Sequence, residues 1–207
     1  MKYSYLIYSL LLIVGLFSCG EAKLDAVVIE NPSVLAFEQL EKELSSEKLS
    51  VNKNLLLPWK YLPIDSQFVM TNPVKYKRTT FADLPMTSRA YADSLGNEVL
   101  IYEWDLVEEG MSMDEKDLLK RDFENQHEIY VGKYNELIDR VTMVFGAPSY
   151  ADKMLQSNNM EVYESYTSKN KWEMDKQMVE VSIFLLPNEI YRVALKNLIL
   201  AQEKVVQ

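Results

Sequence analysis

The sequence predicts an α+β fold, a two-layer domain with a long amphipathic helix packed on an antiparallel sheet. Three observations carry that expectation. Leu119, Phe123, Tyr130, Tyr134, Leu137, Val141 and Val144 recur at steps of three, four or seven, the spacing of one helix face. Val179, Val181, Ile183 and Leu185 alternate with Glu180, Ser182, Phe184 and Leu186, as in a strand buried on one side. Residues 89–93 and 98–104 are β-prone runs flanking Ser94-Leu95-Gly96-Asn97, a hairpin signal.

The elements follow in order. Asn31-Pro32-Ser33 opens the domain, with Ser33 as N-cap. Val34, Phe37, Leu40 and Leu44 then lie at helical spacing, with Glu38, Glu41, Lys42 and Glu43 mostly on other faces, so a modest helix ending near Lys48 is expected. Within residues 49–83, Leu55-Leu56-Leu57-Pro58-Trp59-Lys60-Tyr61-Leu62-Pro63 is apolar, but two prolines exclude a helix interior. That stretch is either an extended segment packed over the core or an exposed docking segment. Residues 66–70 and 74–78 read as short strands separated by Asn72-Pro73, a turn signal.

Beyond the hairpin, Gly110 breaks the chain and Ser112-Met113-Asp114-Glu115 fits a capping box. It opens the long helix, over about residues 113–145, which stops at Gly146-Ala147-Pro148. Residues 171–174 read as a short strand and 179–186 as the next. Pro187-Asn188 turns the chain, and residues 190–198 return with Tyr191, Val193 and Leu195 on one face and Arg192 and Lys196 on the other. Residues 201–207 read as a solvated tail.

Composition bounds the function classes. The chain has 207 residues, with 22 basic against 31 acidic side chains and a formal charge of −9. Nucleic-acid phosphates demand basic patches, so no nucleic acid is expected as a partner. With a single cysteine, no disulfide closes within the chain, and packing must hold the fold.

The search for chemistry mostly eliminates. His127 is the only histidine, and a zinc site wants more nitrogen or sulfur ligands than this chain offers, so no metal and no cofactor are expected. No phosphate loop, G-x-S-x-G elbow, H-E-x-x-H motif or EF-hand loop occurs. His127, within Glu124-Asn125-Gln126-His127-Glu128, reads as a surface histidine on the polar side of the long helix. Carboxylate pairs remain, because glycosidases use two acids across a cleft. Glu103 and Asp105 flank Trp104 at a strand end, where an aromatic ring beside acids would contact a sugar. The competing reading makes Trp104 a core anchor. No residue is assigned as catalytic. Met154, Met160, Met174 and Met178 follow no metal motif and suit gap-filling in the core.

The N-terminus bears on location. Lys2 followed by the apolar run 5–17 has the layout of a cleavable secretory signal. That run is shorter than the roughly 20 residues of a membrane span, and Ser9 and Gly15 interrupt it. Leu16-Phe17-Ser18-Cys19 resembles the lipobox of bacterial lipoproteins. The resemblance implies diacylglyceryl on the Cys19 sulfur, cleavage after residue 18 and acylation of the new N-terminus, a palmitate-type lipid anchor. Gly20 in place of an aspartate implies the outer membrane. Loss of residues 1–18 removes Lys2 and no acid, leaving 189 residues with 21 basic against 31 acidic side chains, a balance of −10. The expected organisation is a signal peptide over 1–18, a tether over 19–32 and a single α+β domain over 33–207. The C-terminal half also resembles small envelope lipoproteins of Bacteroidota-like bacteria: a helix, a Gly-x-Pro break, then a tryptophan-bearing meander. Together these readings point to a non-enzymatic binding or scaffolding protein of the cell envelope, bound to the membrane by its lipid and partnered by an envelope protein or glycan. The alternatives are an anchored glycan-binding or glycan-processing protein using Trp104, Glu103 and Asp105, and an inhibitor or immunity protein for a basic toxin or lysozyme.

Overall fold

The structure is a computed structural model that describes residues 25–50, 71–79, 84–93, 96–106, 112, 114, 123–152, 166–186 and 190–201. It is a mixed α+β fold with one eight-stranded antiparallel sheet and two helices among those residues. In chain order the elements are α1 (Val34–Glu43), β1 (Glu47–Leu49), β2 (Thr71–Thr79), β3 (Pro85–Ala92), β4 (Glu98–Asp105), α2 (Phe123–Phe145), β5 (Tyr150–Ala151), β6 (Tyr166–Met174), β7 (Gln177–Leu186) and β8 (Ile190–Ile199). The strand order is β1-β2-β3-β4-β8-β7-β6-β5, so two four-stranded meanders meet at the antiparallel β4·β8 pair. The lipobox, the apolar stretch 55–63, residues 115–122 of the expected long helix, the Pro187-Asn188 turn and the tail beyond 201 lie outside the described residues.

Ser33 caps α1 as its sequence position requires, its Oγ accepting from Ala36 N at 3.0 Å. The helix stops at Glu43, five residues before the expected end near Lys48. Ser45 takes a left-handed φ of 54° while the Leu44 and Ser45 amides close back on Leu40 and Lys42, and the chain then enters β1. Asn72-Pro73 is not a turn but lies inside β2, where the register slips between Thr71 and Val74. A bulge leaves one residue unpaired, which is where a strand tolerates proline. The β3–β4 hairpin forms as expected. Asp93 and Asn97 clamp its loop, with Asn97 N and Nδ2 donating to the Asp93 carboxylate at 2.8 and 2.7 Å, and Gly96 supplies the φ of 91°. β6 is longer than the predicted 171–174, and a two-residue turn at Asp175-Lys176 leads from it into β7.

Strand alternation separates two faces. One carries Met86, Leu100, Tyr102, Trp104, Trp172, Val181, Ile183, Val193 and Leu195, which form the main core with Phe37 of α1 and Tyr130, Tyr134, Leu137 and Val141 of α2. Phe37 lies tilted at 5.8 Å from the rings of both Tyr76 and Tyr102. On the other face Tyr91, Val99, Ile101 and Leu198 form a second buried cluster. The C-terminal end of α2 is closed from the sheet. Gly146, at φ 78°, returns its N–H to Thr142 O at 2.8 Å, and Trp172 Nε1 donates to Gly146 O at 2.9 Å.

The tether expected over 19–32 is corrected from Asp25 onward. Residues 25–29 belong to the folded body, with Ile29 buried and Val27 and Val28 packed against the core. Val28 N donates to Tyr102 Oη at 3.1 Å, Gln177 Nε2 to Ile29 O at 3.1 Å, and Asn197 Nδ2 to Val28 O at 3.4 Å. Arg78 and Arg140 hold Ala26 O and Asp25 O. Side chains from four strands and α2 thus satisfy backbone groups of a segment that belongs to no strand or helix.

Candidate functional site

Neighbouring residues on a strand point to opposite faces, and β4 shows what that does to the predicted group of Glu103, Trp104 and Asp105. Trp104 has no exposed surface and faces the main core, where Lys133 Nζ stands 5.4 Å from its ring centroid. Glu103 and Asp105 lie on the opposite face. The structure therefore keeps the two acids together and withdraws the Trp104 ring from them.

On that face the acids join an ionic ladder across neighbouring strands. Glu103 Oε2 lies 3.2 Å from Arg89 Nη2 of β3, and Glu103 Oε1 lies 3.8 Å from Arg192 Nη1 of β8. Asp105 Oδ2 accepts from Arg192 Nε at 2.8 Å and lies 2.6 Å from its Nη2, so the guanidinium meets this one oxygen side-on, from the residue directly paired with Asp105. Further along, Glu180 of β7 bridges Lys196 of β8 at 3.2 Å and Lys171 of β6 at 3.6 Å. Burial raises the Asp105 carboxyl above its usual range, and the Arg192 hydrogen bond and charge only partly oppose it. Glu103 is nearly buried, whereas the Arg89 and Arg192 side chains keep 31% and 34% of their surface, so the arginines are the more accessible partners. Chemically this is a charge-matched ladder of intramolecular ion pairs. Both acids already hold cations, and among the described residues no group of three or more His, Cys, Asp or Glu is placed to hold a metal.

His127 is not on the surface. It is buried in the first half of α2, and its Nε2 finds no hydrogen-bond partner among the described residues. Burial pushes the imidazole below its usual value, with Glu128 opposing. Two further charged side chains are also interior. Glu41 of α1 is fully buried, with Oε1 accepting from Ser88 Oγ at 2.7 Å and Oε2 from Ser46 Oγ at 2.5 Å; Arg78 Nη1 stands 3.9 Å from Oε2 as a looser ion pair. Lys133 of α2 is buried between Asp25 at 3.2 Å and Glu136 at 2.7 Å. Under α2, Asn170 Nδ2 donates to Tyr134 Oη at 2.8 Å, and Ser168 Oγ stands at the same distance from that oxygen. Burial raises the Tyr134 phenol, so it stays a neutral donor and acceptor.

Sequence reasoning missed Arg89 and Arg192 as partners of the two acids. Arg89 shares the hairpin with Glu103, and its parity would have found it. Arg192 lies 87 positions from Asp105 and meets it only because β4 pairs with β8. Among the described residues no helix is long and apolar enough to cross a membrane. Comparison of the chain with protein-family models, curated proteins and solved structures finds no match.

Proposed function

We propose that this chain is a lipid-anchored protein of the cell envelope, held at the outer membrane through Cys19, with a non-enzymatic binding or scaffolding role. The observation that carries the proposal is Leu16-Phe17-Ser18-Cys19 at the end of the apolar run 5–17, in a chain with no other cysteine. Two or more acyl chains hold a protein firmly, whereas one chain binds marginally. We read the folded body as two layers, with the amphipathic helix over about 113–145 laid on the sheet. The burial of Tyr130, Tyr134, Leu137 and Val141 supports that reading. The Arg89–Glu103–Arg192–Asp105 ladder is the surface offered to an envelope partner. A glycan-processing role has less support, because Trp104 lies in the core and both acids are paired with arginine.

The test is incorporation of labelled palmitate with membrane fractionation. Wild type should take up label and sediment with the outer membrane, and Cys19→Ser should do neither. Equal labelling and sedimentation of Cys19→Ser would overturn the anchor.

A further inference from the structure

We propose that the surface formed by α1 and α2 rests on the membrane that holds the Cys19 lipid, with Leu35 and Met143 entering the boundary between headgroups and acyl chains. This rests on reading Cys19 as the lipid anchor.

The length and end point of the anchoring segment carry the argument. Asp25 is fixed to α2, its carboxylate 3.2 Å from Lys133 Nζ and its carbonyl accepting from Arg140 at 3.0 Å. From there the chain passes over Tyr102 of β4 and Asn197 of β8 to Ser33, the N-cap of α1. It therefore leaves the folded body on the helix-bearing side, above the middle of the sheet. Only residues 19–24 separate it from the lipid, and six residues span at most about 20 Å. The edge strands β1 and β5 lie three strand spacings from β4 and β8, about 14 Å at about 4.8 Å per spacing. A six-residue link that starts on the helix-bearing side spends most of its length in rounding the sheet, so the side it holds nearest the bilayer is the helix-bearing one.

The helix-bearing side has what such a contact needs. Leu35 on α1 and Met143 on α2 are 76% and 79% exposed, the highest values among the large exposed hydrophobics of the described residues, with Val144 beside Met143 at 37%. One such side chain would need no explanation. Here one stands on each of the two helices joined by the segment leading back to Cys19. Glu43, Glu128, Glu136 and Asp139 are also exposed on these helices. An acidic surface is repelled by anionic headgroups, so the matching lipid surface is zwitterionic and the contact apolar.

The test uses the protein purified from membranes with its own lipid and reconstituted into phosphatidylcholine vesicles. Hydroxyl-radical labelling at Leu35, Met143, Phe184 and Tyr150 is read by mass spectrometry and normalised to the unfolded chain. Without lipid contact the order follows exposure, and Leu35 and Met143 label faster than Phe184 and Tyr150, which are 37% and 46% exposed. The proposal expects the reverse order, with Leu35 and Met143 slowed several-fold. Retention of the exposure order would overturn it. The mass of the Cys19 peptide separates the two claims: an unmodified cysteine sinks the anchor itself, and a lipidated one with unchanged order sinks only the helix-side contact.

Discussion

Lys133 Nζ lies 3.2 Å from Asp25 Oδ1, and through this pair α2 grips the segment that leads back to Cys19. The lysine side chain is only 5% exposed and also covers the Trp104 ring, so it links the chain's entry, its second helix and the centre of the core. Lys133→Ala would leave Asp25 without its cation and uncover the ring. A loss of about 2–3 kcal/mol is expected in urea unfolding. Arg140→Ala, at a more exposed site, should lose under about 1 kcal/mol. Equal small losses would show that the grip on Asp25 contributes little.

Glu41 offers a second test of buried charge. Its carboxylate serves Ser46, Ser88 and Arg78 from a position with no exposed surface. Glu41→Ala strands all three partners and should cost about 3–4 kcal/mol. Glu41→Gln keeps an oxygen for one serine and should cost about half as much. In a chain of this size each kcal/mol lowers Tm by about 2–4 °C, so the two variants are separable by thermal melts.

The raised Asp105 carboxyl has a pH signature. Unfolded aspartate titrates near about 3.9, while the folded group holds its proton to higher pH. Between those values the folded state binds the extra proton, so stability falls as pH rises through the folded value. Asp105→Asn removes that slope and, as a partly exposed pair with Arg192, should change stability at pH 7 by no more than about 1 kcal/mol. Urea titrations from pH 4 to 7 decide it, and an unchanged slope counts against the burial of Asp105.

His127 should act with the opposite sign. Its folded value is depressed below the unfolded one of about 6.5. The unfolded chain therefore binds the extra proton as pH falls through 6.5, and stability is lost toward acid. His127→Gln, neutral throughout, should flatten the curve between pH 7 and 5. A wild-type curve matching the variant over that range would place the imidazole in contact with water.

Trp172→Phe isolates the closure of α2. It keeps the buried ring and deletes the 2.9 Å donation to Gly146 O. A loss of about 1 kcal/mol is expected. Faster amide exchange in the last turn of α2 should accompany it, and unchanged exchange would show the cap to be supplied otherwise.

Some residues declared their places in advance and others did not. The β3–β4 hairpin, the Ser33 cap, the Gly146 stop and the parity of β7 and β8 were legible, because each depends on neighbours a few positions away. The burial of Glu41, His127 and Lys133 was not, because a polar residue on a local periodicity reads as solvated until its distant partners are known. Asn72-Pro73 was misread for a related reason. The dipeptide favours a turn in isolation, yet a bulge inside β2 holds it equally well once β3 lies alongside.

By itself the sequence determined the α+β class, the hairpin, the Gly146 stop of α2 and the lipobox pattern around Cys19. Only the tertiary structure decided that Trp104 turns away from Glu103 and Asp105, that Arg192 meets both acids, and that residues 25–29 belong to the folded body. The division follows from range. Propensity, capping and alternation act over a few residues, whereas the β4·β8 pairing that sets those contacts joins segments some 90 positions apart and is chosen by burial of the whole sheet.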